Sequence, residues 1–176
     1  WSNFDEPGEG CYDIDNNGIC DSPFSIGSST DDFPLVSWSS PVTDKSFDTG
    51  IGSYPSIMGT HNGTLRLNEN LTLSKMYTYP SSGTGGHSEY AAFYRNGSLI
   101  ASGTWSGYHG DWHNITFTPF TLYANVIYNY TIMTGSYPQI IHSNNISKSM
   151  GTITSSEFID ANGKRYTDWI PAIRLE

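Results

Sequence analysis

Thr64-Leu-Arg-Leu-Asn-Glu-Asn-Leu-Thr-Leu73 is the stretch that decides the fold. Leu65, Leu67, Leu71 and Leu73 occupy odd positions with polar residues between them, which is the two-residue period of a half-buried β-strand and not the 3.6-residue period of a helix. Asn68-Glu-Asn70 interrupts the alternation and predicts a turn. The same texture continues downstream. Glu89 to Tyr94 and Ser98 to Trp105 flank Asn96-Gly97, and Asn-Gly between two apolar runs predicts a hairpin, because both central residues of a type I′ turn need positive φ. Asn162-Gly163 repeats the signal between Glu157 to Ile159 and Arg165 to Ile170.

Two further strands are predicted at Asn114 to Phe117 and Val126 to Met133. Six Asn-x-Ser/Thr sequons begin at Asn62, Asn70, Asn96, Asn114, Asn129 and Asn145, roughly twice what this Asn, Ser and Thr content gives by chance. A glycan-bearing Asn129 faces water, so Tyr128, Tyr130 and Ile132 are expected to face the core. By the same parity Asn114 is expected to point out while Ile115 and Phe117 point in. No window has the amphipathic pattern of a helix. Strands at intervals of about 8 to 12 residues, joined by Gly, Pro and Asn turns and ending in Ile170-Pro-Ala-Ile-Arg-Leu-Glu176, predict an all-β, antiparallel two-sheet sandwich of jelly-roll type over residues 49–176.

The preceding 48 residues have no sustained period and are punctuated by Pro7-Gly8, Asn17-Gly18, Pro23, Pro34 and Pro41. They read as an irregular coil with one short strand at Leu35 to Trp38. The 176-residue chain carries a net charge of −9, and all of it belongs here: residues 1–48 hold ten acids and one base, whereas the remaining 128 hold seven of each. Phosphate neutralisation needs clustered Lys and Arg, which no segment supplies, so a nucleic-acid partner is not expected. No apolar run approaches the roughly 18 residues that span a bilayer.

Within the acidic segment, Asp13-Ile-Asp15-Asn-Asn17-Gly18-Ile19-Cys-Asp21 has side-chain oxygens at loop positions 1, 3 and 5, a glycine at 6, a backbone carbonyl from Ile19 at 7 and a carboxylate at 9. That spacing matches most of a Ca²⁺ loop. Position 12 is Phe24, so the bidentate glutamate is missing, and Asp31 or Asp32 are the candidates to complete the site. The alternative is an Asp/Asn-rich turn that caps itself through Asx hydrogen bonds. The cation is preferred because so many carboxylates around one loop repel one another without it. Cys11 and Cys20, with eight residues between them, are expected to form a sterically reasonable disulfide and, with the sequons, indicate an oxidising, secreted or cell-surface location. An unpaired or metal-bound pair is the alternative.

A second cluster lies in glycine-flanked loops: His87 and Glu89, then Trp105, and Tyr108, His109, Asp111, Trp112 and His113. Flat amphipathic rings beside His and Asp groups suit a polysaccharide or glycan, with a transition-metal site or simple closure of the sandwich end as alternatives. No nucleophile elbow, zincin helix or phosphate loop is present, so a catalytic role is not expected.

Trp1-Ser-Asn-Phe4, the Asp13 to Ile26 run with Pro23-Phe24, and Asp31-Asp-Phe-Pro-Leu35 resemble the end of the parallel β-helix repeat region of NosD-like surface and periplasmic proteins, common in archaea. Residues 50–176 resemble a β-sandwich module appended to archaeal surface proteins of that kind, notably at Thr84 to Tyr90, Gly107 to Asn114 and Thr134 to Gln139. The resemblance implies the terminal cap of a longer envelope protein. The family's copper association does not suit the oxygen-rich loop here. The chain is therefore expected to be a non-catalytic, Ca²⁺-stabilised, N-glycosylated surface module that binds carbohydrate. The alternative is a structural subunit or adhesion module that contacts neighbouring subunits in an envelope, sheath or filament.

Overall fold

A computed structural model describes residues 24–26, 29–31, 45–53 and 57–176. The chain separates into two units, Trp1–Thr43 and Asp44–Glu176. In the first, β1 (Phe24–Ile26) and β2 (Ser29–Asp31) form a small antiparallel pair in which Phe24 lies opposite Asp31. This hairpin stands where an irregular coil was expected. In the sequence, Gly27-Ser28 has the Gly-Ser order that predicts a two-residue connection between strands. The expected strand at Leu35 to Trp38, the disulfide of Cys11 and Cys20, and the ligand set Asp13, Asp15, Asn17, Ile19, Asp21 and Asp32 lie outside the described residues. Only the backbone of Asp31 lies within them, in β2.

The second unit is a β-sandwich. Its first strand, β3 (Phe47–Asp48), belongs to residues grouped above with the acidic segment. There follow β4 (Gly59–Leu67), β5 (Leu71–Thr78), β6 (His87–Arg95), β7 (Ser98–Thr104), β8 (Asn114–Leu122) and β9 (Ile127–Gly135). The chain closes with β10 (Ile140–His142), β11 (Asn145–Lys148), β12 (Gly151–Asp160), β13 (Arg165–Tyr166), β14 (Trp169–Pro171) and β15 (Ile173–Leu175). One sheet has the order β11-β12-β4-β9-β6-β7 with β13 beside β12; the facing sheet has the order β3-β15-β5-β8. A short β10-β14 pair lies apart from both. No helix occurs among the described residues, and hence none long and apolar enough to cross a membrane.

The leucine alternation does what its period requires. Leu65 and Leu67 on β4 and Leu71 and Leu73 on β5 are all buried, and each such burial is worth about 1.5–3 kcal/mol. The turn at 68–70 does not make a hairpin, however, because β4 and β5 belong to opposite sheets. It carries the chain across the core. Tyr128, Tyr130 and Ile132 face inward as expected, while Asn129 is exposed. Across the core, Met76, Ile115, Phe117 and Leu175 complete the packed interior with Phe47 and Phe93.

Two glycines record how closely neighbouring strands of one sheet, and the two sheets at their edges, approach. A Cβ on Gly63 would lie 1.9 Å from the Thr154 carbonyl and 2.6 Å from the Tyr130 hydroxyl, which crosses above it to donate to that carbonyl at 2.9 Å. A Cβ on Gly103 of β7 would lie 2.4 Å from Ile115 Cγ2 of β8, where the two sheets meet edge to edge.

The hairpins differ from each other. At Asn96-Gly97 both φ angles are positive, 50° and 79°, as the type I′ expectation requires. At the second site only Gly163 is positive (81°). Asp160 there organises a longer loop: its Oδ1 accepts from the Asn162 and Lys164 amides, at 2.8 and 2.9 Å. That is a bulged connection ending on a left-handed glycine, and the two-residue reading does not hold for it.

Antiparallel connection gathers the loops at 79–86, 105–113, 136–139 and 161–164 at one end of the sandwich, with residues 49–53 and 57–58 also there. The turns at 68–70, 96–97, 123–126 and 149–150 gather at the other.

Candidate functional site

The first of these ends contains the candidate ligand-binding residues His87, Glu89, Trp105, Tyr108, His109, Asp111, Trp112 and His113. Strand β6 begins with His87, and β7 hands the chain to Trp105, whose amide donates to the Glu89 carbonyl at 2.9 Å. That bond seats Trp105 on the start of β6. The 105–113 loop then folds back on itself, as Trp105 Nε1 donates to the Trp112 carbonyl at 2.7 Å. Gly107 and Gly110, at φ 95° and 55°, supply the left-handed turns that so short a return needs. The loop ends where the Asn114 amide donates to the Asp111 carbonyl and the Thr78 amide donates to the His113 carbonyl, both at 3.0 Å.

The rings form a continuous chain. His87 stacks on Trp105 with centroids 3.7 Å apart, and Tyr108 meets Trp105 edge-to-face at 4.7 Å and 90°. Tyr108 also meets Trp112 at 5.2 Å and 62°, and Trp112 stacks on His113 at 3.5 Å. Tyr77 continues the chain from His113, with Tyr79 beyond it and the Arg174 guanidinium 5.1 Å over the Tyr77 ring. Sequence reasoning missed Tyr77 and Tyr79, although their i, i+2 spacing at the end of a strand places them on one face.

A flat coplanar platform of Trp105, Tyr108 and Trp112 is therefore not what forms. The ring quadrupoles favour edge-to-face contacts, and the tight loop turns the rings into them. Trp105 and Trp112 are half-buried, while Tyr108 is 59% exposed. Its hydroxyl lies over Gly85, where a Cβ would approach to 3.0 Å. His109 and Asp111 are exposed at the tip. His113 has its pKa pushed down by burial, opposed by the charge of Asp111 and, to a smaller extent, assisted by His87. Among the described residues no group of three or more His, Cys, Asp or Glu side chains is placed to hold a metal ion, so the transition-metal alternative gains no support here.

His87 is the most constrained member. Only 3% of it is exposed, and its Nδ1 lies 2.7 Å from the Gly85 carbonyl. A carbonyl can only accept, so Nδ1 carries a proton and donates it there. Nε2 is buried without a hydrogen-bond partner among the described residues. The Glu89 carboxylate stands 3.9 Å from it.

Asn114 departs from its expected parity. It is 8% exposed at the head of β8, its Nδ2 reaches the Asp111 carbonyl at 3.4 Å, and its Oδ1 is buried without a partner among the described residues. It closes the site loop instead of facing water. The other sequon asparagines are half-buried (Asn62) or exposed (Asn70, Asn96, Asn129 and Asn145).

A second aromatic ladder at this end also went unread in the sequence. His142 stacks on Trp169 at 4.7 Å, Trp169 on Tyr166 at 3.9 Å, and Phe158 lies between Trp169 and the buried His61. A cavity of about 360 Å³ opens nearby between Ile57, Met58, Ser136, Tyr137, Ala161 and Asn162. No protein-family model matches this chain, and no curated protein matches it either.

Proposed function

We propose that the second unit is a non-catalytic binding module of a secreted or cell-surface protein, and that the aromatic end of the sandwich takes a glycan. The observation that carries this reading is the exposed Tyr108 ring, buttressed by Trp105 and Trp112 and flanked by Glu89, His109 and Asp111. A rigid aromatic face with polar groups at its margin is what a sugar ring requires, since its C–H face is apolar and its rim is hydroxylic. Tyr108→Ala is expected to weaken binding to any glycan the intact module retains by about tenfold or more, measured on a glycan array followed by titration. An array without hits would remove the proposal.

The second reading, an adhesion or structural module of an archaeal-type envelope, draws on the exposed Met58 and Tyr137 beside the cavity. Ordered self-association at high concentration is its signature. With either reading goes the proposal that the acidic segment binds Ca²⁺ through Asp13, Asp15, Asn17, the Ile19 carbonyl and Asp21, completed by Asp31 or Asp32. Chelation is then expected to lower the melting temperature and to speed proteolysis within the first 40 residues. Unchanged behaviour would leave the self-capped turn as the account of that loop.

A further inference from the structure

The cavity of about 360 Å³ has walls that the backbone fixes from three sides. Met58 leads into β4, and its carbonyl accepts from the Ala161 amide at 3.0 Å. Ser136 follows β9 in a left-handed conformation, φ 57°, that residues with a side chain rarely adopt. Beyond that turn the Tyr137 carbonyl accepts from the Ser81 amide and the Thr84 hydroxyl, both at 3.0 Å, which latches it to the 79–86 loop. Asn162 is placed by its own amide, which donates to Asp160 Oδ1 at 2.8 Å. Ile57, Met58 and Ala161 give the cavity apolar walls, while Ser136, Tyr137 and Asn162 bring two hydroxyls and an amide. Those three side chains make no hydrogen bond among the described residues. The volume lies at the small end of the range for ligand sites, about 300–1,000 Å³, and suits one substituted sugar residue.

The cavity and the Tyr108 ring are joined through two consecutive glycines. A Cβ on Gly85 would lie 3.0 Å from the Tyr108 hydroxyl, and one on Gly86 would lie 2.3 Å from the Tyr137 carbonyl. Tyr108 and Tyr137, 59% and 58% exposed, therefore stand on either side of a bare stretch of backbone. We propose, resting on the glycan reading above, that the binding surface runs from Tyr108 across Gly85-Gly86 into this cavity, and that the cavity takes the acetamido group of an N-acetylated amino sugar. An acetamido group carries an apolar methyl beside one N–H donor and one carbonyl acceptor. Ile57, Met58 and Ala161 match the methyl, and the thioether of Met58 adapts to its shape. The hydroxyls of Ser136 and Tyr137 and the amide of Asn162 match the N–H and the carbonyl. A free ammonium finds no carboxylate among the described lining residues, and a lone hydroxyl leaves the apolar walls uncovered. A purely aliphatic group leaves the hydroxyls and the amide unmatched.

The test is calorimetric titration of the whole chain with the β-1,4-linked tetramers of N-acetylglucosamine, glucosamine and glucose. The N-acetylated tetramer is expected to bind tighter than the other two by about tenfold or more. Ala161→Phe fills the cavity without touching Tyr108, and it should abolish that preference while leaving the residual affinity for the other two tetramers in place. Asn162→Ala removes a hydrogen-bonding partner and leaves the cavity open, and it should reduce the preference by about threefold or more. Circular dichroism reports whether each variant keeps its sheets. Should Ala161→Phe lose them, Asn162→Ala carries the test, and an unchanged preference overturns the proposal. Equal binding of the three tetramers, or a preference that survives Ala161→Phe in a folded variant, overturns the cavity assignment and leaves the glycan reading standing. Binding of none also overturns the cavity assignment, and the glycan reading then rests on the array alone. An N-acetyl-lysine peptide that binds with the same Ala161 dependence, in place of the sugar, overturns the sugar assignment in favour of a protein partner.

Discussion

His61 lies in the interior of the sandwich, 0% exposed, with its ring 4.2 Å from that of Phe158. Its Nδ1–H donates to the Trp169 carbonyl at 3.3 Å, and Nε2 has no partner among the described residues. Burial drives its pKa from 6.5 down to about 3, opposed in part by that backbone contact. The folded state thus refuses a proton that the unfolded chain accepts from pH 6.5 downward. Stability from this residue is complete above about pH 6.5 and falls as the pH drops towards 3, with a limiting slope of about 1.4 kcal/mol per pH unit. His61→Gln keeps an amide able to donate to Trp169 and removes the titration. Denaturant melts at half-unit intervals between pH 6.5 and 3.5 should show the variant losing that one-proton slope, whatever its stability at pH 7. An unchanged slope would assign the acid sensitivity to other groups.

At the scale of the element, what the sequence showed and what it hid have one physical cause. Alternation read correctly from Leu65 to Leu73 because each strand there keeps its pleat. It failed further along, because bulges shift the parity within a strand. Leu71 and Leu73 point inward from odd positions, the β5-β8 register slips between Leu73 and Lys75, and Met76 and Thr78 then point inward from even ones. β12 does the same around Ser155, passing from Ile153 to Phe158, and its long pairing with β4 could not be read from a pattern that reverses midway. β8 accommodates Pro119 in a similar irregularity. Local turn chemistry was legible where it depends on two residues, as at Asn96-Gly97, and was misread where a side chain such as that of Asp160 decides the loop. The site residues were legible as types, because rings and histidines clustered near glycines stand out. Their mutual angles were not, since these follow from the Trp105–Trp112 bond that closes the loop. Nor could parity alone find that Asn114 is held inward, because the turn from Asp111 precedes the strand and sets its first side chain.

Considered as a whole, the sandwich has two ends and an outer face of different character, and the sequons distinguish them. Asn70 and Asn96 lie in the turns of the end opposite the aromatic loops, and Asn145 lies on the edge strand β11. Asn62 and Asn129 share the outer face of the larger sheet, in sequons that run antiparallel to each other: Asn62 faces Thr131, and Thr64 faces Asn129. Thr131 donates its hydroxyl to Asn62 Oδ1 at 2.8 Å, so part of the sequon content is a polar Asn/Thr ladder that a solvent-facing strand pair favours in its own right. Only Asn114 falls at the aromatic end, and it is buried. Glycans carried at the exposed sequons would therefore leave the end with the exposed Tyr108 uncovered. Secretion from an N-glycosylating host followed by peptide mass spectrometry should find sugar at Asn70, Asn96, Asn129 and Asn145, lower occupancy at Asn62, where the amide oxygen is already engaged, and none at Asn114. A glycan at Asn114 on folded material would require the 111–114 turn to open and the stacked Trp112–His113 pair to part. That result would mean the aromatic end is not the preformed surface from which ligand recognition is argued.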